Sequence, residues 1–220
     1  MIVIAIMLAG MLVQWNLSSK FKRYSKVMLA SGMTGKEVAE KMLQDNGIHD
    51  VQVISTRGQL TDHYNPTNKT INLSEGVFDS NSVMAAAVAA HETGHALQHA
   101  KGYAPLQLRS KLVPVVSFAS QIVQWVLLAG IILVQTFPKL LLIGIILFAT
   151  TTLFSIITLP VEVDASRRAL VWLERARITT YEQQPMAASA LRSAAYTYFV
   201  AAIGSIATLL YYISIYSNRR

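Results

Sequence analysis

Four apolar stretches punctuate the chain, and one long polar segment separates the first from the rest. They cover residues 2–15 ("IVIAIMLAGMLVQW"), about 112–137, 140–159 and about 198–216. A helix needs roughly 20 apolar residues to cross a hydrocarbon core of about 30 Å, so all four read as transmembrane helices, the first of them short. A cleavable signal peptide would carry its cations before the apolar run and a small-residue site after it. Here "KFKRYSK" (20–26) follows the run, which predicts a retained anchor. "TFPK" (136–139) forms a tight turn, so the second and third spans make a hairpin.

The polar segment, 17–111, patterns differently. "TGKEVAEKMLQDNG" (34–47) predicts a helix with Thr34 and Glu37 in capping-box spacing and Gly47 as its stop. "VQVIS" (51–55) is rich in β-formers, and "DHYNPTNKTINLS" (62–74) reads as two short strands around an Asn-Pro-Thr-Asn turn, in which Ile71 and Leu73 alternate with Thr70 and Asn72. "DSNS" (79–82) offers N-caps for an Ala-rich helix over 83–100, which Gly102 ends. The fold class expected is therefore a mainly α integral membrane protein, with about four transmembrane helices and a small α/β domain carrying a short-stranded sheet. The divisions expected are 1–16 (first span), 17–111 (cytoplasmic region), 112–159 (hairpin), 160–190 (cytoplasmic helix) and 191–220 (last span).

Composition agrees: 53% of the 220 residues are hydrophobic and 14% charged, against about 25% charged in soluble domains. The net charge of +7 comes from basic residues flanking apolar runs, where they contact phospholipid, and no nucleic-acid motif accompanies them. The expected partners are the lipid bilayer and a polypeptide, with no nucleic acid and oligomeric state left open. The blocks at 20–26, 109–111 and 167–177 belong on the cytoplasmic side. This gives a multi-pass cell-membrane protein with its N-terminus outside, although the terminal "NRR" then lies outside against the rule. There is no cysteine, which excludes disulfides, thiolate metal sites and thiol nucleophiles.

Chemistry concentrates in "HETGHALQH" (91–99). His91 and His95, four residues apart on a helix, project from one face one turn apart and can reach a single cation. Glu92 lies beside them. Two neutral imidazoles, an open position for water and a non-ligand carboxylate make up the arrangement for zinc hydrolysis, with Glu92 as general base. Gly94 in mid-helix lowers helix stability by about 1 kcal/mol relative to Ala, which suggests that another helix approaches closely there. His99 lies eight residues from His91, about 12 Å along the axis, too far to share a metal held at about 2 Å. A supporting role is expected for it.

The third ligand must come from elsewhere on the same membrane side. Glu162 and Asp164 stand where the third span reaches the cytoplasm, after Pro160, which predicts a helix break. Carboxylates so near an apolar run need a metal, a cation or a wet cavity. Glu162 is the ligand candidate, with Asp164 as the alternative. For a second donor to the developing oxyanion, Tyr103, Tyr181, His63 and one of Arg167 and Arg168 are all open.

"HETGHALQ" together with "LPVEVDASRRAL" (159–170) resembles the YugP-type membrane zinc metallopeptidases over nearly the whole chain, and more distantly the HtpX and CAAX prenyl protease group of gluzincins. The resemblance implies a gluzincin-like domain with Zn²⁺ held by His91, His95 and Glu162 and with Glu92 as base. Glu162, Ala165 and Ala169 fall on the E-x-x-A-D-x-x-A pattern, with Ser166 in place of its Asp. Asp164, Ser166 and His99 are then the residues that support the ligands or replace one. The resemblance also implies that "NKTINLS", with Asn68, Lys69, Thr70, Ile71 and Asn72, is an edge strand that pairs with an extended peptide, a known mode of β-strand addition. The function expected is a zinc endopeptidase cutting membrane-associated or unfolded polypeptides at the cytoplasmic surface. The alternative is an inactive zinc-binding scaffold or assembly factor.

Overall fold

The computed structural model describes residues 2–218. A first helix, α1 (Ile2–Tyr24), leads to a capped helix α2 (Gly35–Asp45), three strands β1 (Gln52–Thr56), β2 (His63–Asn65) and β3 (Thr70–Ser74), and a single turn α3 (Glu75–Phe78). Then come α4 (Val83–Ala100) and three long helices, α5 (Ala104–Ile132), α6 (Pro138–Arg175) and α7 (Gln184–Ser217). Both predicted caps form. Thr34 and Glu37 close the capping box reciprocally, and the Ser82 side chain accepts from the Ala85 amide at 3.1 Å at the start of α4.

The helices α5, α6 and α7 are long and apolar enough to cross a membrane. Their outward faces expose Phe118, Trp125, Ile146 and Leu210, an apolar extent that a water-soluble monomer does not carry. The turn after Ile132 returns the chain as the predicted hairpin. It packs closely because Gly130 and Gly144 have no side chain: a Cβ at Gly130 would meet the Leu141 backbone at 2.6 Å, and one at Gly144 would meet Leu127 at 2.8 Å. α1 lies along α7, with Ile6 against Gly204, and exposes Met7, Leu8, Met11 and Trp15.

Two expectations about this region are corrected. Pro160 does not break the chain: α6 runs unbroken from Pro138 to Arg175, so residues 160–175 continue the third apolar run rather than opening a separate helix. The proline removes one backbone donor, but Val161, Ala165 and Ala169 on the next turns are fully buried, and that packing holds the helix in register. The outer helices also start earlier than their apolar runs, at Ala104 and Gln184, and extend the spans into the polar layer.

The sheet has the order β1-β3-β2. β1 runs parallel to β3, with Val53 beside Ile71, and β2 runs antiparallel to it, with Tyr64 beside Ile71. Here the edge-strand expectation fails. Thr70, Ile71 and Asn72 belong to the central strand, whose two edges are already hydrogen-bonded, while Asn68 and Lys69 lie in the preceding turn. The free edges belong to β1 and β2. Ile71 and Leu73 alternate inward and are fully buried with Val38, Met42 and the alanines of α4, so the inward and outward pattern of β3 was legible while its neighbours were not.

Candidate metal centre

α4 is almost wholly enclosed, and its Ala-rich face lets neighbouring elements approach closely. At Gly94 the contact is extreme: a Cβ there would lie 2.7 Å from the Ala165 carbonyl oxygen and 3.1 Å from its Cα. That contact brings the Glu162 turn of α6 against the His91–His95 turn of α4. Glu162 Oε2 stands 3.2 Å from His91 Nε2 and 3.6 Å from His95 Nε2. One donor atom from each of the three residues lies within 4.8 Å of the others. For a tetrahedral ion with bonds of about 2.0–2.1 Å, ligand atoms sit about 3.3–3.4 Å apart, so the three side chains fit Zn²⁺ with one position left over.

The second nitrogen of each imidazole is also engaged. Gln98, fully buried on α4, donates through Nε2 to the Val161 carbonyl (2.8 Å) and to Asp164 Oδ2 (3.0 Å). Its Oε1 is therefore the acceptor for His95 Nδ1 at 3.0 Å, and His95 Nε2 is left facing Glu162. His91 Nδ1 lies 3.1 Å from Ser166 Oγ, which leaves its Nε2 directed at Glu162. Such outer contacts hold ligands in orientation and raise their basicity. Burial pushes the His95 imidazolium to lower pKa, but Glu162 and Glu92 more than reverse this and hold it above the ordinary imidazole value.

The other carboxylate oxygen, Glu162 Oε1, accepts from Arg109 Nη1 at 3.1 Å. Glu92 is buried, and among the described residues its carboxylate has no hydrogen bond to the protein. It lines a cavity of about 230 Å³ together with His63, His91, His95, Arg109, Glu162 and Tyr198.

The remaining candidates separate clearly. Asp164 is held by Gln98, Arg167 and Arg168 and stands outside the ligand group. His99 is bonded through Nδ1 to the Tyr64 hydroxyl at 2.8 Å, tying α4 to β2 away from the centre. Of the donors considered for an oxyanion, only His63 lines the cavity. Tyr181 is 95% exposed, Tyr103 lies under the Arg168 guanidinium, and both arginines are occupied by Asp164.

Three residues at the centre escaped sequence reasoning. Gln98 follows His95 by three positions, one helical turn, a spacing that marks it as a partner. Arg109 read as a membrane-flanking cation, although it stands at the same membrane level as Glu162. Tyr198 read only as the start of an apolar run, and no sequence signal distinguishes it.

Two imidazoles one turn apart on a helix, closed by a carboxylate from a second helix, define a zinc site of the metallopeptidase kind on a frame of long apolar helices. A family model described as "Putative neutral zinc metallopeptidase" matches residues 1–217, and the chain belongs to that family. It is 42% identical over 207 residues to the "Putative membrane protease YugP" of Bacillus subtilis (strain 168), covering 94% of this chain and 91% of that protein. No solved structure matches it.

Proposed function

We propose that this chain is a membrane-embedded zinc endopeptidase. It hydrolyses peptide bonds of membrane-associated or unfolded polypeptides at the cytoplasmic surface. One observation carries the reading: Glu92, a carboxylate with no hydrogen bond to the described residues, shares a cavity with a buried ligand triangle of His91, His95 and Glu162. Zinc bound by these three supplies a Lewis acid that acidifies water and polarises the scissile carbonyl. Glu92 takes a proton from the attacking water. As the C–N bond breaks, it returns that proton to the leaving amine. Arg109 neutralises the outer oxygen of Glu162, and Tyr198, which lines the same cavity, serves as the donor to the developing oxyanion.

The substrate strand is reassigned to β2, an edge of the sheet whose His63 and Tyr64 line the cleft. An extended peptide gains backbone hydrogen bonds by pairing with such an edge. α1 is taken as a fourth crossing. The basic residues Arg23, Arg109 and Arg168 lie towards the metal-site ends of α1, α5 and α6, which supports a cytoplasmic site and an outside N-terminus.

The test is detergent-purified protein loaded with zinc, with casein as substrate. Glu92→Gln should retain one zinc and lose hydrolysis by about 10²–10⁴-fold, whereas Glu162→Ala should lose the metal. Hydrolysis that survives Glu92→Gln refutes the assignment of the base, and a zinc-loaded wild type that cuts nothing favours an inactive scaffold.

A further inference from the structure

The cleft does not end at the metal site. A second cavity, of about 280 Å³, shares Asp62, His91, Glu92 and Tyr198 with the first and continues on the opposite side, between α1, α4 and α7. The two sides differ in chemistry. The first presents His63, Arg109, Ser110 and Glu162. The second is walled mainly by Leu17, Leu60, Met84, Val88, Leu191 and Ala194, with Gln14 and Thr197 as its own polar residues. Resting on the proteolytic reading, we infer that this second cavity is a specificity pocket that takes one large apolar side chain immediately next to the scissile bond of the substrate.

Position supports this. Met84, Val88 and Glu92 succeed one another at four-residue steps on one face of α4, so Val88 lies one turn, about 6 Å along the axis, from the carboxylate. An extended chain advances about 3.3 Å per residue and turns alternate side chains to opposite faces. A residue flanking the reacting bond therefore delivers its side chain at that depth. Ala194, a small residue, completes the wall on α7, and the space accepts a leucine- or phenylalanine-sized group.

Leu60 supports it independently. It lies in the loop between β1 and β2 with a left-handed φ of +58°, a conformation uncommon for a residue with a bulky side chain, and it remains 49% exposed at the cavity mouth. A leucine kept exposed on strained backbone beside a reactive centre is an expense to the fold that a contact with substrate explains.

The experiment reads cleavage sites. A library of peptides from denatured protein is digested by the detergent-purified, zinc-loaded full chain, and the residues on either side of each cut are counted by mass spectrometry. Wild type should show one flanking position enriched in Leu, Ile, Met and Phe. Ala194→Phe, which fills the cavity, should shift that position to Ala, Ser and Gly, lowering kcat/KM for a leucine-flanked peptide about tenfold or more relative to its alanine counterpart. Leu60→Asn accepts the left-handed backbone, so it should keep the wild-type zinc content and melting temperature while weakening the enrichment. Cutting with no flanking preference, or a preference unchanged in both variants, overturns this inference alone. A zinc-loaded wild type that cuts no peptide overturns the proteolytic reading and takes this inference with it.

Discussion

Gly94→Ala is the most informative single change, because helix propensity and tertiary contact make opposite predictions for it. In an isolated helix the substitution is favourable by about 1 kcal/mol. Here the new methyl would stand 2.7 Å from the Ala165 carbonyl oxygen, where ordinary contact is near 3.5 Å, so α6 must retreat by about 0.8 Å. The obstacle is backbone, and no rotamer change relieves it. Overpacking of this kind costs about 1–3 kcal/mol. Set against the propensity gain, the net effect on the stability of the metal-free protein is a loss of roughly 0–2 kcal/mol.

The larger consequence falls on the metal. Ala165 lies one turn from Glu162, and the two helices carry opposite sides of the ligand triangle. Ligand distances in a working site hold to about ±0.2 Å, so a retreat several times larger than that pulls Glu162 Oε2 out of the triangle. Zinc affinity should fall by at least the 10–100-fold typical of losing an outer contact. The assay is competition with a chelator of known affinity, with thermal unfolding of the metal-free protein alongside. Gly10→Ala is the control: nothing lies within 4 Å of the added methyl, and zinc affinity should not change. If Gly94→Ala binds zinc like the wild type and its metal-free form gains about 1 kcal/mol, the glycine is incidental and the argument for enforced helix contact fails.

Gln98→Leu should lower zinc affinity about 10–100-fold and destabilise the protein by about 1–3 kcal/mol, because it strips a buried acceptor from His95 Nδ1 and leaves polar groups unpaired. Chelator competition and unfolding measure both effects. His99→Ala and Asp164→Asn should retain zinc in metal analysis, since the first breaks only the contact to Tyr64 and the second only ion pairs and the bond from Gln98. Loss of zinc in either would move the third ligand away from Glu162. Protons compete with zinc for His95, whose imidazolium is favoured by Glu162 and Glu92. The affinity for zinc, read by chelator competition, should therefore begin to weaken, as pH is lowered, above the ordinary imidazole value of about 6.5. In the metal-free protein the sign reverses: the raised pKa contributes stability that is present below the unfolded-state value and lost as pH rises through the folded-state one. A zinc affinity that stays constant as pH is lowered from about 8 to about 6.5 would show that the proton is not held as described.

What could be read in advance follows the range of the interactions. The four-residue step from His91 to His95, the caps at Thr34 and Ser82, and the alternation of Ile71 and Leu73 are local, and each reappears in the fold. Glu162 was reachable because a carboxylate beside an apolar run is expensive without a partner, a constraint that acts across the whole membrane level. The misreadings concern relations between distant segments. The central place of β3 depends on β1 returning parallel to it, and nothing within "NKTINLS" records how many neighbours it will have. Pro160 was judged on its local cost, while the packing of Val161, Ala165 and Ala169 that overrides that cost depends on α4. Arg109 and Tyr198 reach the cavity only because α5 and α7 cross beside α4. Gly94 was the exception: its helix penalty pointed to a close helix neighbour, although not to which one, since the residue it makes room for is 71 positions away. A glycine that looks like a local defect in α4 is thus the condition for α6 to bring Glu162 within 3.2 Å of His91, and the geometry of the metal site is set by backbone contact before any ligand is considered.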